Sequence, residues 1–137
     1  MIPEVFEGKD EGEVCRLVRR WRISQELSIR LWNMAGNIPF GLEIFSGFRT
    51  EAQQNELRES GRPTAPNDLS THLSCPATGA DIRFALGGAN IEKVSQAQFG
   101  MFAVFSGLRW GGGGKIDPTT GIPIDWNHLD LGPRKAA

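Results

Sequence analysis

The sequence predicts an α+β domain in which a small antiparallel sheet is backed by helices. Three observations carry that reading. Residues 11 to 34 repeat apolar side chains at largely helical spacing. Two short runs of bulky apolar residues, LEIFSGF and GADIRF, have the length and composition of strands. Helices and non-alternating short strands then follow one another in an order that suits segregated layers. At 137 residues the chain suits one domain, spanning 1–137, with no room for a second core.

In chain order, Val14, Leu17, Val18, Trp21, Leu27, Leu31 and Trp32 form the first apolar stripe, which Ser24 interrupts. Gly36 is a candidate stop, and NIPFG a loop. Leu42 to Phe48 is the first predicted strand. TEAQQNELRES then reads as a helix with Thr50 as N-cap and Gln53 three residues on, the spacing of a capping box. Gly61 ends it, and RPTAPNDLS is a loop. Gly79 to Phe84 forms the second predicted strand. A helix capped by Asn90 or Ser95 runs to about Ser106, with Phe99, Phe102, Ala103 and Phe105 apolar. Leu108 to Trp110 is strand-like and enters the irregular loop GGGGKIDPTTGIP. A last strand is expected around His128 to Leu131, before the tail GPRKAA.

Fifteen basic and sixteen acidic residues leave a net charge of -1, so no basic field points to nucleic acid. The locally basic run Arg16 to Arg22 suits a solvated helix face. No apolar stretch is long enough to cross a bilayer, and the N-terminus has early acids instead of a secretory signal. Synthesis in a cytoplasm is therefore expected. Cys15 and Cys75 do not make a disulfide framework. Cys15 lies in an apolar helical pattern and is expected to be buried, and Cys75 half-buried. Trp110 and Trp126 read as core or cleft-wall aromatics. The run Gly111 to Gly114 lacks the residues of a phosphate loop.

The chain has two histidines, and both have carboxylate neighbours in sequence. His72 precedes Asp81, and His128 lies between Asp125 and Asp130. Two imidazoles and a carboxylate are a common catalytic zinc set, three protein ligands leaving a fourth position for water. From spacing alone, an isolated loop histidine reads first as structural or exposed.

The blocks SGFRTEAQQ, STH followed by GADI, LRWGG and DWNHLDL change that weighting. In this order, from Ser46 to Leu131, they resemble the zinc D-Ala-D-Ala carboxypeptidase and L-alanyl-D-glutamate endopeptidase family. That family includes small phage endolysins and shares its metal-site fold with the hedgehog signalling domain. The resemblance implies zinc held by His72, Asp81 and His128, with Asp125 as general base. It implies that Arg49 faces the substrate carbonyl and that Gln53 and Ser70 line or support the site. The implied substrate is the peptide stem of peptidoglycan, cut as an L-Ala-D-Glu endopeptidase or a D,D-carboxypeptidase.

A holin-type release partner or a phage particle would bring such a chain to the wall, and a monomer is expected, with neither nucleic acid nor membrane as partner. The rival reading is a non-catalytic zinc-stabilised wall-binding or phage structural domain. One departure from the family pattern stands out. The step from His72 to Asp81 is nine residues, where relatives have seven, and Cys75 stands where glycine is usual. Closure cost rises slowly with loop length, so the insertion is tolerable. Asp130 is the alternative carboxylate, and Cys75 is a candidate fourth ligand or nucleophile.

Overall fold

The structure, a computed structural model, describes residues 2–61, 70–85, 93–111 and 126–132. The predicted loops at 62–69 and 112–123, the candidate cap Asn90, the tail from 133 and Asp125 lie outside these residues. The chain runs β1 (Glu4–Phe6), α1 (Gly12–Trp21), α2 (Gln25–Gly36), β2 (Leu42–Ser46), α3 (Glu51–Glu59), β3 (Gly79–Phe84), α4 (Lys93–Phe105), β4 (Arg109–Trp110) and β5 (His128–Asp130). The five strands form one sheet in the order β1-β2-β3-β5-β4, with every neighbouring pair antiparallel. This is the predicted α+β architecture. β1 was not foreseen, because three residues carry too little periodicity to register as a strand.

The long helical stripe divides where Ser24 stands. Arg22 adopts a left-handed conformation with φ of 54°, Ile23 forms a parallel bridge to Ala77, and the Ser24 hydroxyl caps α2 by accepting from the Leu27 N–H. Leu17, Trp21, Leu27, Leu31 and Met34 from the two helices are buried in one cluster with Leu42, Ile44, Ala80, Ile82 and Leu129 of the sheet. α4 adds Phe99 and Ala103. Its Gly100 lies against the Trp110 indole, where a Cβ would overlap the ring. Trp126 is buried and Trp110 packs against the core, as expected of core-wall aromatics. Both cysteines, in contrast, are exposed. Cys15 sits on the outer face of α1 beside Arg16, Arg19 and Arg20, so the apolar stripe there is narrower than its sequence suggests.

α1 begins at a built anchor. The buried Glu13 carboxylate accepts the backbone N–H groups of Glu7 at 2.7 Å, Lys9 at 3.0 Å and Asp10 at 3.2 Å, tying the β1–α1 turn to the helix. Burial opposes its charge, but these backbone hydrogen bonds outweigh it and lower its pKa from 4.5. A carboxyl group with a depressed folded-state pKa stabilises the fold fully above its unfolded value, and that stabilisation is lost as pH falls through the folded value. Glu13→Gln should therefore cost about 2 kcal/mol at pH 7, the scale of hydrogen bonds to a charged acceptor. The gap to wild type should narrow below pH 4.5. Urea unfolding at pH 7 and pH 3 measures both, and an equal gap at the two values would contradict the role of the charge.

The sheet has one face against the helices and one that carries polar side chains. Along β3, Ala80, Ile82 and Phe84 are buried while Asp81 and Arg83 alternate onto the other face. Along β5, Leu129 enters the core and His128 and Asp130 share that open face with Asp81. Strand pairing aligns these residues. Glu43 stands opposite Arg83, Asp81 opposite His128, and Arg109 opposite Asp130. β2 would send Ser46 to the core after Leu42 and Ile44. A register shift between Ile44 and Ser46 instead sets Ser46 opposite Asp81.

Candidate metal centre

Three residues far apart in sequence converge on the open face of the sheet. Asp81 comes from the middle of β3 and His128 from the start of β5, as a cross-strand pair. His72 comes from the loop before β3. Its carbonyl accepts the Arg49 N–H at 2.8 Å, and its own N–H donates to the Ser70 hydroxyl at 3.3 Å. Ser70 is buried and so supports the His72 backbone.

The loop that carries the two extra residues is closed at its base. The Thr78 N–H donates to the Thr71 carbonyl at 3.0 Å, and the Ser74 hydroxyl donates to the same carbonyl at 3.1 Å. Its far side is tied to the α1–α2 junction through Ala77 N–H to Arg22 O and Ser24 N–H to Ala77 O. Cys75 and its cis bond to Pro76 fall inside this closed loop. The insertion therefore projects away from the strand, and Asp81 keeps its place. Gly79 is required beside it, because a Cβ there would overlap Thr71 and press on the His128 ring.

The hydrogen bonds assign the ring nitrogens. A carbonyl can only accept, so His72 carries its proton on Nδ1, donated to Gly47 O at 2.7 Å. Its Nε2 lone pair then faces the cluster. His128 donates Nε2–H to Asp130 Oδ2 at 2.8 Å, which leaves Nδ1 facing the cluster. His72 Nε2 and His128 Nδ1 are 3.3 Å apart. Asp81 Oδ1 lies 3.3 Å from the second and 3.4 Å from the first.

With His128 neutral, three acceptors face one another at nearly equal distances, an arrangement that a metal ion among them would satisfy. A proton can fill the same need. Burial works against charge on His128, but hydrogen bonds to Asp130 and Asp81 outweigh it and push its pKa up to about 9, so that without a metal Nδ1 would donate to Asp81. Burial likewise opposes the Asp81 charge, and the facing His72 and His128 hold its carboxyl well below the usual range. The triangle also has the dimensions of a metal site. Ligand bonds of ~2.0–2.1 Å in tetrahedral geometry place neighbouring donor atoms ~3.3–3.4 Å apart. His72, Asp81 and His128 can hold a metal ion.

Arg49 lies against this group. Its guanidinium donates to Asp81 Oδ2 at 2.6 Å, to Gln54 Oε1 at 3.1 Å and to Ser46 Oγ at 3.1 Å. Asp81 therefore gives one oxygen to the cluster and the other to arginine. Gln53, named from the sequence as a site residue, is exposed and completes the α3 capping box, its side chain accepting the Thr50 N–H at 2.9 Å. Its neighbour Gln54 is buried and faces the site. The two adjacent glutamines are indistinguishable by type. Only the helical phase set by Thr50 separates them, since N3 points back to the cap and the next residue turns inward.

An α+β sheet thus carries on its open face a histidine–carboxylate triangle that could hold a metal ion. Neither a protein-family model nor a curated protein sequence matches the chain. Among solved structures it is similar to the Serratia marcescens L-Ala D-Glu endopeptidase ChiX, with a TM-score of 0.62 and 18% sequence identity, covering 93% of this chain and 89% of that one. The chain has the fold of this peptidase. No described helix is long and apolar enough to cross a membrane.

Proposed function

We propose that the chain is a zinc-dependent peptidase of the bacterial cell wall, cutting the peptide stem of peptidoglycan at the L-Ala-D-Glu bond in the manner of an endolysin. The observation that carries this reading is the triangle of His72 Nε2, His128 Nδ1 and Asp81 Oδ1. Two imidazoles with one carboxylate suit zinc better than the oxygen-preferring calcium and magnesium. The fold shared with an L-Ala D-Glu endopeptidase supports the choice of bond. Delivery to the wall by a holin-type release partner or a phage particle belongs to the same proposal.

His72, Asp81 and His128 would hold the zinc. When bound, zinc supplies a Lewis acid and lowers the pKa of water to about 7. Asp125 takes the proton of the attacking water and returns it to the leaving amine, the general acid–base role. It directly precedes Trp126–His128, a segment pinned by Trp110 Nε1–H to Trp126 O and by Ile82 N–H to Asn127 O at 2.8 Å. Arg49 donates to the oxyanion that develops on the attacked carbonyl. Three of its five N–H donors are used by Ser46, Gln54 and Asp81, which leaves two for substrate. Ser70 and Gln54 hold His72 and Arg49 in place.

Purified sacculi digested with zinc-loaded protein should yield peptides with a new D-Glu N-terminus, read by mass spectrometry, and a chelator should stop their release. Asp125→Ala should retain zinc and lose about 100- to 10,000-fold in rate. Undiminished digestion by that variant would remove Asp125 from the mechanism. Zinc-loaded protein that binds muropeptides but releases no new termini would establish a binding module instead.

A further inference from the structure

We infer that Asp130, clamped by Arg109, is a positioning residue that sets the tautomer and orientation of His128 so that Nδ1 faces the metal. This rests on the reading of His72, Asp81 and His128 as a zinc site. Asp130 follows His128 by two residues on β5, so the pleat turns both side chains to one face. It is fully buried, and a buried carboxylate needs partners for its charge.

Those partners account for the whole group. Asp130 Oδ2 accepts His128 Nε2–H at 2.8 Å and an Arg109 N–H at 2.7 Å. Oδ1 accepts Arg109 Nε–H at 2.7 Å and the Gly132 N–H at 2.8 Å. A carboxylate offers about four lone-pair sites, and all of them are occupied. Asp130 therefore has no electron pair to give a metal, and its candidacy as the alternative ligand carboxylate is corrected. Its role is to receive the far nitrogen of the ring.

Arg109 makes that role rigid. It stands on β4 opposite Asp130 in the strand register and grips both oxygens, the planar two-bond geometry that fixes a carboxylate most firmly. Asp130 cannot rotate without breaking both bonds, so the direction of its Oδ2 toward His128 is set by the sheet. The consequence for His128 is chemical. A neutral imidazole carries one proton, and holding it on Nε2 leaves the Nδ1 lone pair directed at His72 and Asp81. A row thus runs across the open face, from Arg109 through Asp130, His128 and Asp81 to Arg49. In it each carboxylate is braced by one arginine, and His128 lies between the two carboxylates.

The test is zinc affinity together with the state of the ring. Zn2+ is titrated against a competing chromophoric chelator with wild type, Asp130→Asn, Asp130→Ala and Arg109→Lys. Losing an outer partner of a metal-bound histidine weakens binding about 10- to 100-fold, and this is expected for Asp130→Ala. Asp130→Asn, which keeps an acceptor without the charge, and Arg109→Lys, which keeps the charge without the two-bond grip, should fall between. Arg109 is half exposed, so Arg109→Lys should fold even if Asp130→Ala does not.

Long-range nitrogen–proton NMR of the zinc-loaded protein should show His128 bound through Nδ1 with a slowly exchanging Nε2 proton. That proton should exchange rapidly in Asp130→Ala, and at an intermediate rate in Asp130→Asn and Arg109→Lys, while the Nδ1 proton of His72 stays protected. A merely structural role would not move one ring and spare the other. Wild-type affinity in all three variants, or His128 bound through Nε2, overturns the inference. Wild type that holds zinc but leaves sacculi intact would defeat the peptidase reading alone, because affinity and ring state still report on Asp130.

Discussion

Protein carrying His72→Ala should emerge from dialysis without zinc and leave sacculi undigested, while wild type retains one metal and digests them. His72 is buried, is tied by its backbone to Arg49 and Ser70, and presents Nε2 within 3.4 Å of both other ligands. Alanine removes one corner of the triangle and leaves the Gly47 carbonyl without its donor. The remaining pair, Asp81 and His128, offers two donor atoms where zinc takes three protein ligands. Thermal unfolding separates this from simple misfolding. A ligand held at a hundred times its dissociation constant adds about 2.7 kcal/mol to stability. For a domain of this size that corresponds to roughly 10 °C. Wild type should show that rise on adding Zn2+, and His72→Ala should unfold cooperatively at a temperature indifferent to it. An equal rise in both would remove His72 from the metal site.

Arg49→Ala should have the second largest effect, and it acts on two properties at once. The Arg49–Asp81 pair is largely shielded from solvent, with 17% and 15% of the side chains exposed. Removing one partner of such a pair leaves an uncompensated charge, at a cost of about 3 kcal/mol. Removing an oxyanion donor costs about 100- to 1,000-fold in kcat. Arg49→Lys divides the two. Lysine keeps the positive charge beside Asp81 and should recover most of the stability. It lacks the planar fork that reaches Asp81, Gln54 and Ser46 together, so the spare donors lose their direction and the rate stays low. Recovery of both stability and rate by lysine would make Arg49 a simple counter-ion.

The site residues differ in how far the sequence exposed them. His72, Asp81 and His128 were legible because their chemistry is rare in this chain and their surrounding blocks are distinctive. The capping box at Thr50 was legible because it is a local interaction, complete within four residues. Gln54 was missed for Gln53 because side-chain direction on a helix depends on phase. Asp130 was misread as a spare ligand because its satisfaction by Arg109 and Gly132 is a matter of strand pairing. The exposure of Cys15 and Cys75 follows from which helix face and which loop side the fold presents.

The sequence by itself determined the α+β class, the order of its main elements and the three residues able to bind a metal, because periodicity, capping and residue chemistry act over short range. Tertiary structure alone decided how those residues meet. The register of β3 against β5 sets Asp81 opposite His128, and the register of β5 against β4 sets Asp130 opposite Arg109. A slip of one residue would turn Leu129 outward and both β5 site residues into the core. Which nitrogen each histidine presents is settled by a backbone carbonyl in one case and a carboxylate in the other. Both are contacts between distant segments, with no trace in local sequence.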